Sequence, residues 1–599
     1  MKTKTLSLLG LLSLFVFSSC SIYPKPSESV SESISSGTSS SEDSSESTSE
    51  SSESSESSEE SSESSDSEES ISEDIHKDEE GFIILPDDYL AYEDDPTDTK
   101  KRNKISFAPQ IDGADYYTSN MRLYVAGQRI PLYNVKINGN HTFAPDAPNR
   151  GDVAVASVSI EGQITFQIHT TFKFLGVCRI SPLGRNVPYQ LDETYRVCSF
   201  TINTPGQYTI EFKNGTILHL FVNKMKDDGY NPSNCIYFDK GIHDKTNDSR
   251  INSNNVVELN SNQTVYLADG AIVRAKFNAY QKSNIKILGP GFIDGSKFVR
   301  NASTGEVTVP IDFNYCNNVE FDSIGIMDPA GWCYNMYFCN GVTINNTKII
   351  SSRANGDGIS IQSCQNVEVT NSFVRSWDDS LVVKNYPRWS DRSQEGTTNH
   401  VHFSDCMIYN DLAQCMEIGY ECVGEVMNDI TFTNITVTRA THLAPISIHN
   451  SNNANLTNVK YDGITIENAD MGQGNGNKYL VDFSCMYSST WSEVQKKTAL
   501  GSVDGVVVKN VKVNRGITDA IVSVRGSMET RSEYPNVAHY MNNVSFQDFE
   551  IYGQKLTSAY THYQTQYSNN VTFSNTGEVT GATYVIEDTS MYGHNITVL

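Results

Sequence analysis

Two kinds of hydrophobic alternation divide the chain. Between residues 81 and 228 apolar positions recur with period two and are broken by turn signals: residues 153–160 alternate, as do Tyr208, Ile210 and Phe212, and Asn214-Gly215 supplies a hairpin turn before the apolar run 218–222. Several short strands of this kind predict a β-sandwich over 81–228. From residue 229 to residue 599 a different unit repeats, a turn residue followed by alternating Val, Ile or Phe, with copies starting at Asn284, Asn318, Gly341, Asn366, His400, Asp429, Gly505, Asn543 and Asn570. The closest copies stand roughly twenty to thirty residues apart, without amphipathic helices between them. This predicts an all-β solenoid that adds one coil per repeat, a right-handed parallel β-helix over 229–599. A leucine-rich repeat would need Leu at fixed places, and a propeller would need longer blades. Each coil turns its Val and Ile inward and presents the alternate residues on long parallel sheets, an elongated groove suited to a polymer.

The first eighty residues have another character. Lys2 and Lys4 precede an apolar run from Leu6 to Phe17, too short to span a bilayer, and Ser18-Ser19-Cys20 follows. Residues 1–20 therefore read as an export signal, and small residues before a cysteine resemble the bacterial lipoprotein cleavage box. That resemblance makes Cys20 the lipidated first residue of a mature surface protein, held to the membrane by acyl chains alone. Residues 21–80 are Ser and Glu in irregular repetition, a disordered tether that cannot bury enough surface to offset chain entropy. Of 72 acidic residues 19 lie in this tether, with only Lys25 and Lys77 opposing them, so about −17 of the net charge of −27 belongs to it. The remainder is only mildly acidic, which argues against a nucleic-acid partner.

Twelve cysteines are present, and the eleven beyond Cys20 show neither disulfide-scaffold spacing nor CxxC pairs. Cys316, Cys339 and Cys364 each precede a repeat turn and read as an internal stack of buried thiols. Cys178 and Cys198 are candidates for pairing that the sequence leaves open. No metal and no cofactor is expected.

The candidate chemistry lies between Arg353 and Lys384. Asp357 sits in the turn Asn355-Gly356-Asp357-Gly358, and 21 residues after it Asp378-Asp379 open a second strand. If that interval is one coil, the two acidic turns lie one strand spacing apart, roughly 4.8 Å. Three carboxylates so close cannot all ionise normally; one is pushed upward and stays protonated, which gives the acid and base a glycosidase needs. An isolated Asp in such a turn usually serves the turn alone. Trp332, Trp377, Tyr386, Trp389 and Tyr420 flank these acids, and an aromatic face is a natural platform for a sugar.

The ordered motifs Gly289-Pro290-Gly291-Phe292-Ile293-Asp294-Gly295, Asp328-Pro329-Ala330-Gly331-Trp332, Asn355-Gly356-Asp357-Gly358 and Asp378-Asp379-Ser380-Leu381-Val382-Val383-Lys384 resemble those of pectin-lyase-like β-helix glycosidases. The nearest relatives would be the polygalacturonase family and the dextranase and isopullulanase family, the second of which also carries a β-sandwich ahead of its helix. The resemblance implies an inverting hydrolase with Asp378 as general acid and Asp357 and Asp379 as the carboxylates that hold and deprotonate the water. Asn355, Lys384, Gln414, Trp332 and Trp377 become substrate-binding candidates.

The departures are informative. The polygalacturonase Gly-His-Gly falls at Ala413-Gln414-Cys415, and the basic pair that grips a uronate falls near Ser447 and His449. Without that pair a uronate would bury its charge unpaired. A neutral α-linked polysaccharide or oligosaccharide is therefore expected before pectin, with Glu417 and His449 as supporting or substrate-contact residues. Pectin hydrolysis, a non-catalytic surface glycan-binding protein and a calcium-assisted lyase are the alternatives.

Overall fold

The computed structural model describes residues 76–86, 89, 102–137, 151–176, 178–226, 228–299, 308–385, 395–490, 497–534, 536–577 and 596–597. Cys20 and the tether up to residue 75 lie outside them, as do Tyr386 and Trp389. Among the described residues no helix is long and apolar enough to cross a membrane.

The sequence repeat is one coil of a parallel β-helix, and each coil gives a strand to each of three sheets. In the first, Asn317–Asp322, Asn340–Asn345, Gln365–Thr370, Thr397–Ser404 and Val426–Thr433 stack in parallel register. The second is made of short strands such as Gly325–Met327, Lys348–Ile350, Phe373–Ser376 and Met407–Asn410 and runs on from the first, the two together holding 21 strands. The third holds 11, among them Tyr334–Tyr337, Ile359–Gln362, Leu381–Asn385, Met416–Cys422 and Ile446–Asn450.

The turn residue that marks each repeat has a backbone reason to be there. Asn284, Asn318, Asn366, His400, Asp429, Asn543 and Asn570 all adopt φ between 52° and 58°. That left-handed region suits Asn and Asp because their short side chains find polar partners nearby. Here the partner is the next coil: Asn284 Nδ2 donates to Asn262 Oδ1 at 2.8 Å, and Asn318 Nδ2 to Asn284 Oδ1 at 2.7 Å. The following apolar residues point inward and stack. Phe403 and Phe432 lie 4.9 Å apart at 4°, and Phe432 and Tyr461 4.9 Å apart at 5°. The expected thiol stack is present too: Cys316, Cys339 and Cys364 are buried, and the Cys339 N–H donates to Cys364 Sγ at 3.2 Å.

Strands between Lys104 and Lys224 form a six-stranded and a five-stranded sheet that enclose a second core containing Leu123, Phe166, Ile168, Phe200, Ile210 and Leu220. Cys178 and Cys198 meet inside it with their sulfurs 3.8 Å apart and unbonded.

This sandwich covers the outer face of the second helix sheet. Tyr133, Val155, Ile217 and Phe221 pack on Phe292, Met327, Phe373, Met407 and Tyr409 across the junction. Buried ion pairs border the contact, Arg179 with Glu211 at 3.0 Å and Glu467 at 2.7 Å, and Arg439 with Glu211 at 3.1 Å. Arg375, fully buried on the strand Phe373–Ser376, grips Asp411 at 2.8 and 3.2 Å and donates from NH1 to His219 Nε2 at 3.1 Å. A guanidinium only donates, so Nε2 accepts and the ring proton sits on Nδ1, facing Thr209 Oγ1 at 2.9 Å. Burial, then the Arg375 charge, push the proton affinity of His219 well below the usual imidazole range.

Candidate active site

Two turns on successive coils deliver the acids. The register pairs Ile359 with Leu381. Carried back two residues, this sets Asp357 opposite Asp379, and the Gly358 N–H donates to the Asp379 carbonyl at 2.8 Å. The interval is thus one residue longer than the spacing to Asp378 suggests, and Asp378 stands beside the facing pair. A Cβ on Gly358 would come within 2.4 Å of Ser380 O and of Val374 Cγ1, so glycine is what lets one turn settle on the other. Arg353 fixes the start of the first turn through two 2.8 Å bonds to Asp328, and Asn355 follows it at φ 53°.

Asp357 and Asp379 are only 2% and 7% exposed, whereas Asp378 is half-buried. Lys384 reaches back from the following strand to join them, its Nζ lying 3.7 Å from Asp357 Oδ2, 3.7 Å from Asp379 Oδ2 and 3.5 Å from Glu421 Oε2. The three N–H groups of the ammonium thus face three protein carboxylates. Lys384, expected to bind substrate, is a clamp inside the acidic cluster. Burial works against its charge, but Glu421, Asp357 and Asp379 outweigh that and raise its proton affinity well above the usual range. Asp379 moves the other way in charge terms: burial, with Asp378, Asp357 and Glu417 nearby, holds its carboxyl well above the usual range despite Lys384. The raised carboxyl is therefore Asp379, which the resemblance assigns to holding the water and not to the role of acid.

Gln414 occupies the next coil directly over Asp379, and its backbone N–H points to Asp379 Oδ1 at 3.3 Å. Beyond it, a chain of charged contacts runs through four successive strands of the third sheet. Ser447 Oγ donates to Glu417 Oε2, His449 Nδ1 contacts Glu417 Oε1 at 2.8 Å, and His449 Nε2 lies 3.3 Å from Asp482, which Arg525 holds at 2.7 Å. Burial disfavours an imidazolium, yet Glu417 and Asp482 raise His449 to about 10, so it is a permanent cation paired on both sides. The Tyr420 ring stacks on it at 4.2 Å and 4°.

Two expectations need correction. Trp377 is 2% exposed and cannot be an open sugar platform; of the flanking aromatics that are described, Trp332 and Tyr420 are half-buried. The outward positions of the third sheet, Asn335, Ser360, Gln362, Glu417, Ser447 and Asp482, are polar but buried, so this face is a shielded floor and not an open sheet. Glu421, Asp482 and Arg525 are cluster members that the sequence did not single out. Each is a charged residue on a third-sheet strand, but only the register shows that they converge.

Residues 240–395 match the family model of glycosyl hydrolases family 28. No curated protein matches the chain. Among solved structures, it is similar to Dex49A from Penicillium minioluteum, at 14% identity over 79% of this chain and 95% of that one with a TM-score of 0.49. A family 28 exopolygalacturonase from Yersinia enterocolitica aligns at 12% identity over 78% of this chain and 96% of that one, TM-score 0.34. A polygalacturonase from Erwinia carotovora aligns at 15% identity over 55% and 86%, TM-score 0.31. The matched segment contains both acidic turns and Lys384, so the acids lie in the part of the chain that is similar to glycosyl hydrolases family 28.

Proposed function

We propose that the protein is an inverting glycoside hydrolase that cleaves α-linked, neutral polysaccharide or oligosaccharide at the turns bearing Asp357, Asp378 and Asp379. The convergence of Asp357 and Asp379 on Lys384, with Asp378 next to Asp379 in the same turn, is the observation that carries the reading. Asp378, the most exposed of the three, donates its proton to the departing glycosidic oxygen as the bond to the anomeric carbon breaks. A water held by Asp357 and Asp379 attacks the same carbon from the opposite face and gives up a proton to that pair.

The preference for a neutral sugar rests on where the cations are. Lys384 is committed to Asp357, Asp379 and Glu421, and His449 to Glu417 and Asp482. Among the described residues, these two cations leave no unpaired charge to offset the desolvation of a uronate carboxylate. The chain is further proposed to be exported and anchored through Cys20, on the signal-like segment 1–20.

Reducing-end release from a panel of dextran, other α-glucans, galactose-containing glycans and polygalacturonate tests the reading, with Asp378→Asn as control. Hydrolysis of a neutral glycan that the substitution abolishes supports it. Turnover of polygalacturonate alone would overturn the substrate assignment, and glycan binding without turnover would favour a surface glycan-binding protein.

A further inference from the structure

Away from the acids, the outer face of the first sheet carries a cluster of different chemistry. His400 and His402 lie two residues apart on the strand Thr397–Ser404, so both point outward, and the register sets Asp429 of the next coil beside them. One ligand atom from each of the three falls within 4.8 Å of the others. We propose that His400, His402 and Asp429 bind a transition-metal ion of the zinc class. Imidazole and carboxylate donors suit that class, and three protein ligands leave a fourth position open to solvent.

The orientation of His402 is what raises this above a run of polar side chains. Its Nδ1 faces Glu368 Oε1 of the preceding coil at 3.0 Å, so in the tautomer that carries its proton on Nδ1 it is Nε2 that is turned toward the ion. That Nε2 is shielded, has no hydrogen-bond partner, and lies 3.4 Å from Asp429 Oδ2. Ligands about 2.0–2.1 Å from a tetrahedral zinc stand roughly 3.3 Å from one another, so this pair needs almost no adjustment. Glu368 is then the outer carboxylate that orients a metal-binding imidazole. His400 Nδ1 touches Asp429 Oδ2 directly and would open by a small side-chain rotation to admit the ion.

The competing explanation is the turn ladder. His400 stands at the left-handed turn position, φ 55°, where other coils have Asn, and its contact with Asp429 replaces an Asn–Asn bond. His402 has no place in that ladder: it sits two residues on, in register with Glu368 and Thr431. An ion here would tie two successive coils together directly and a third through Glu368.

Calorimetric titration of the full chain with zinc chloride, after chelator treatment, tests the proposal without reference to sugar hydrolysis. One site of micromolar affinity is expected, with Co(II) giving the visible bands of a tetrahedral complex. Asp429→Asn, which keeps a partner for His400 in the ladder, and His402→Gln should each weaken binding at least tenfold with an unchanged circular dichroism spectrum. Glu368→Gln should weaken it roughly tenfold. Zinc affinity no tighter than millimolar, or affinity unaltered by both Asp429→Asn and His402→Gln, would overturn the site.

Discussion

Replacing Lys384 by Met keeps the length of the side chain and removes only the charge that three carboxylates share. The contacts are 3.7, 3.7 and 3.5 Å, and the side chains involved are between 3% and 14% exposed, so solvent screens them little. At an effective dielectric constant of about 20, each such pair interacts by roughly 4–5 kcal/mol before desolvation is counted. Because Met needs no solvation but strands the acids, the net loss of stability near neutral pH is expected to be about 3–5 kcal/mol. A cation at this distance lowers a carboxyl pKa by roughly 1–3 units, so without it the acidic limb of the kcat/KM profile should move up by about that much. As pH falls and the stranded acids take up protons, the stability gap between variant and parent should narrow. Thermal and urea unfolding at neutral and acidic pH, with the pH–rate profile on whichever glycan the parent cleaves, provide the measurements. Lys384→Arg, which keeps the charge, should leave the limb within about half a unit of the parent. A folded Lys384→Met protein whose acidic limb and acid sensitivity match the parent would refute the clamp.

Other outcomes follow from the same geometry. Asp378→Asn should lower kcat by roughly 10²–10⁴-fold with little change in melting temperature, as removal of a general acid does; comparable loss of fold would assign Asp378 a structural role instead. His219 is held neutral, so its depressed proton affinity contributes stability that is present above the unfolded value near 6.5 and lost as pH falls below it. Unfolding measured against pH should show that slope, up to about 1.4 kcal/mol per pH unit, and His219→Gln should lack it. Phe432→Ala, which empties one layer of the aromatic stack, should cost about 3–5 kcal/mol in urea unfolding. Metabolic labelling with a radioactive fatty acid should mark the parent chain and not Cys20→Ser.

Much of this was legible along the chain because the repeat states its own geometry. A residue that accepts a left-handed turn, followed by period-two apolar residues, is sufficient to specify a coil, and Asn318-Val319-Glu320-Phe321 shows both signals in four letters. The acids were legible for the same reason, since each opens a third-sheet strand. What escaped was whatever depends on register between coils. Asp357 faces Asp379 and not Asp378 because the coil is one residue longer than the nearest acid-to-acid spacing. Asp482 meets His449 only after the insertion around Gly472 has been passed, and nothing local shows how many of its residues loop out. Lys384 reads as a substrate-binding candidate until its own coil and the two beside it supply its partners. The paired histidines at 400 and 402 read as strand residues of one more repeat, because the acidic neighbours of His402 and His400 lie 34 and 29 residues away on other coils.

The strand that ends at Ser376 leads straight into the Asp378 turn, and its arginine is held from behind by an imidazole belonging to the other half of the protein. A solenoid usually tolerates being shortened or lengthened by whole coils, because each layer leans only on its neighbours. This one has a sideways dependence as well. A helix severed from the sandwich would keep its coils yet leave Arg375 with fewer partners at the back of the acidic turn, so trimming the protein to a minimal enzyme should blunt its chemistry before it loosens its architecture.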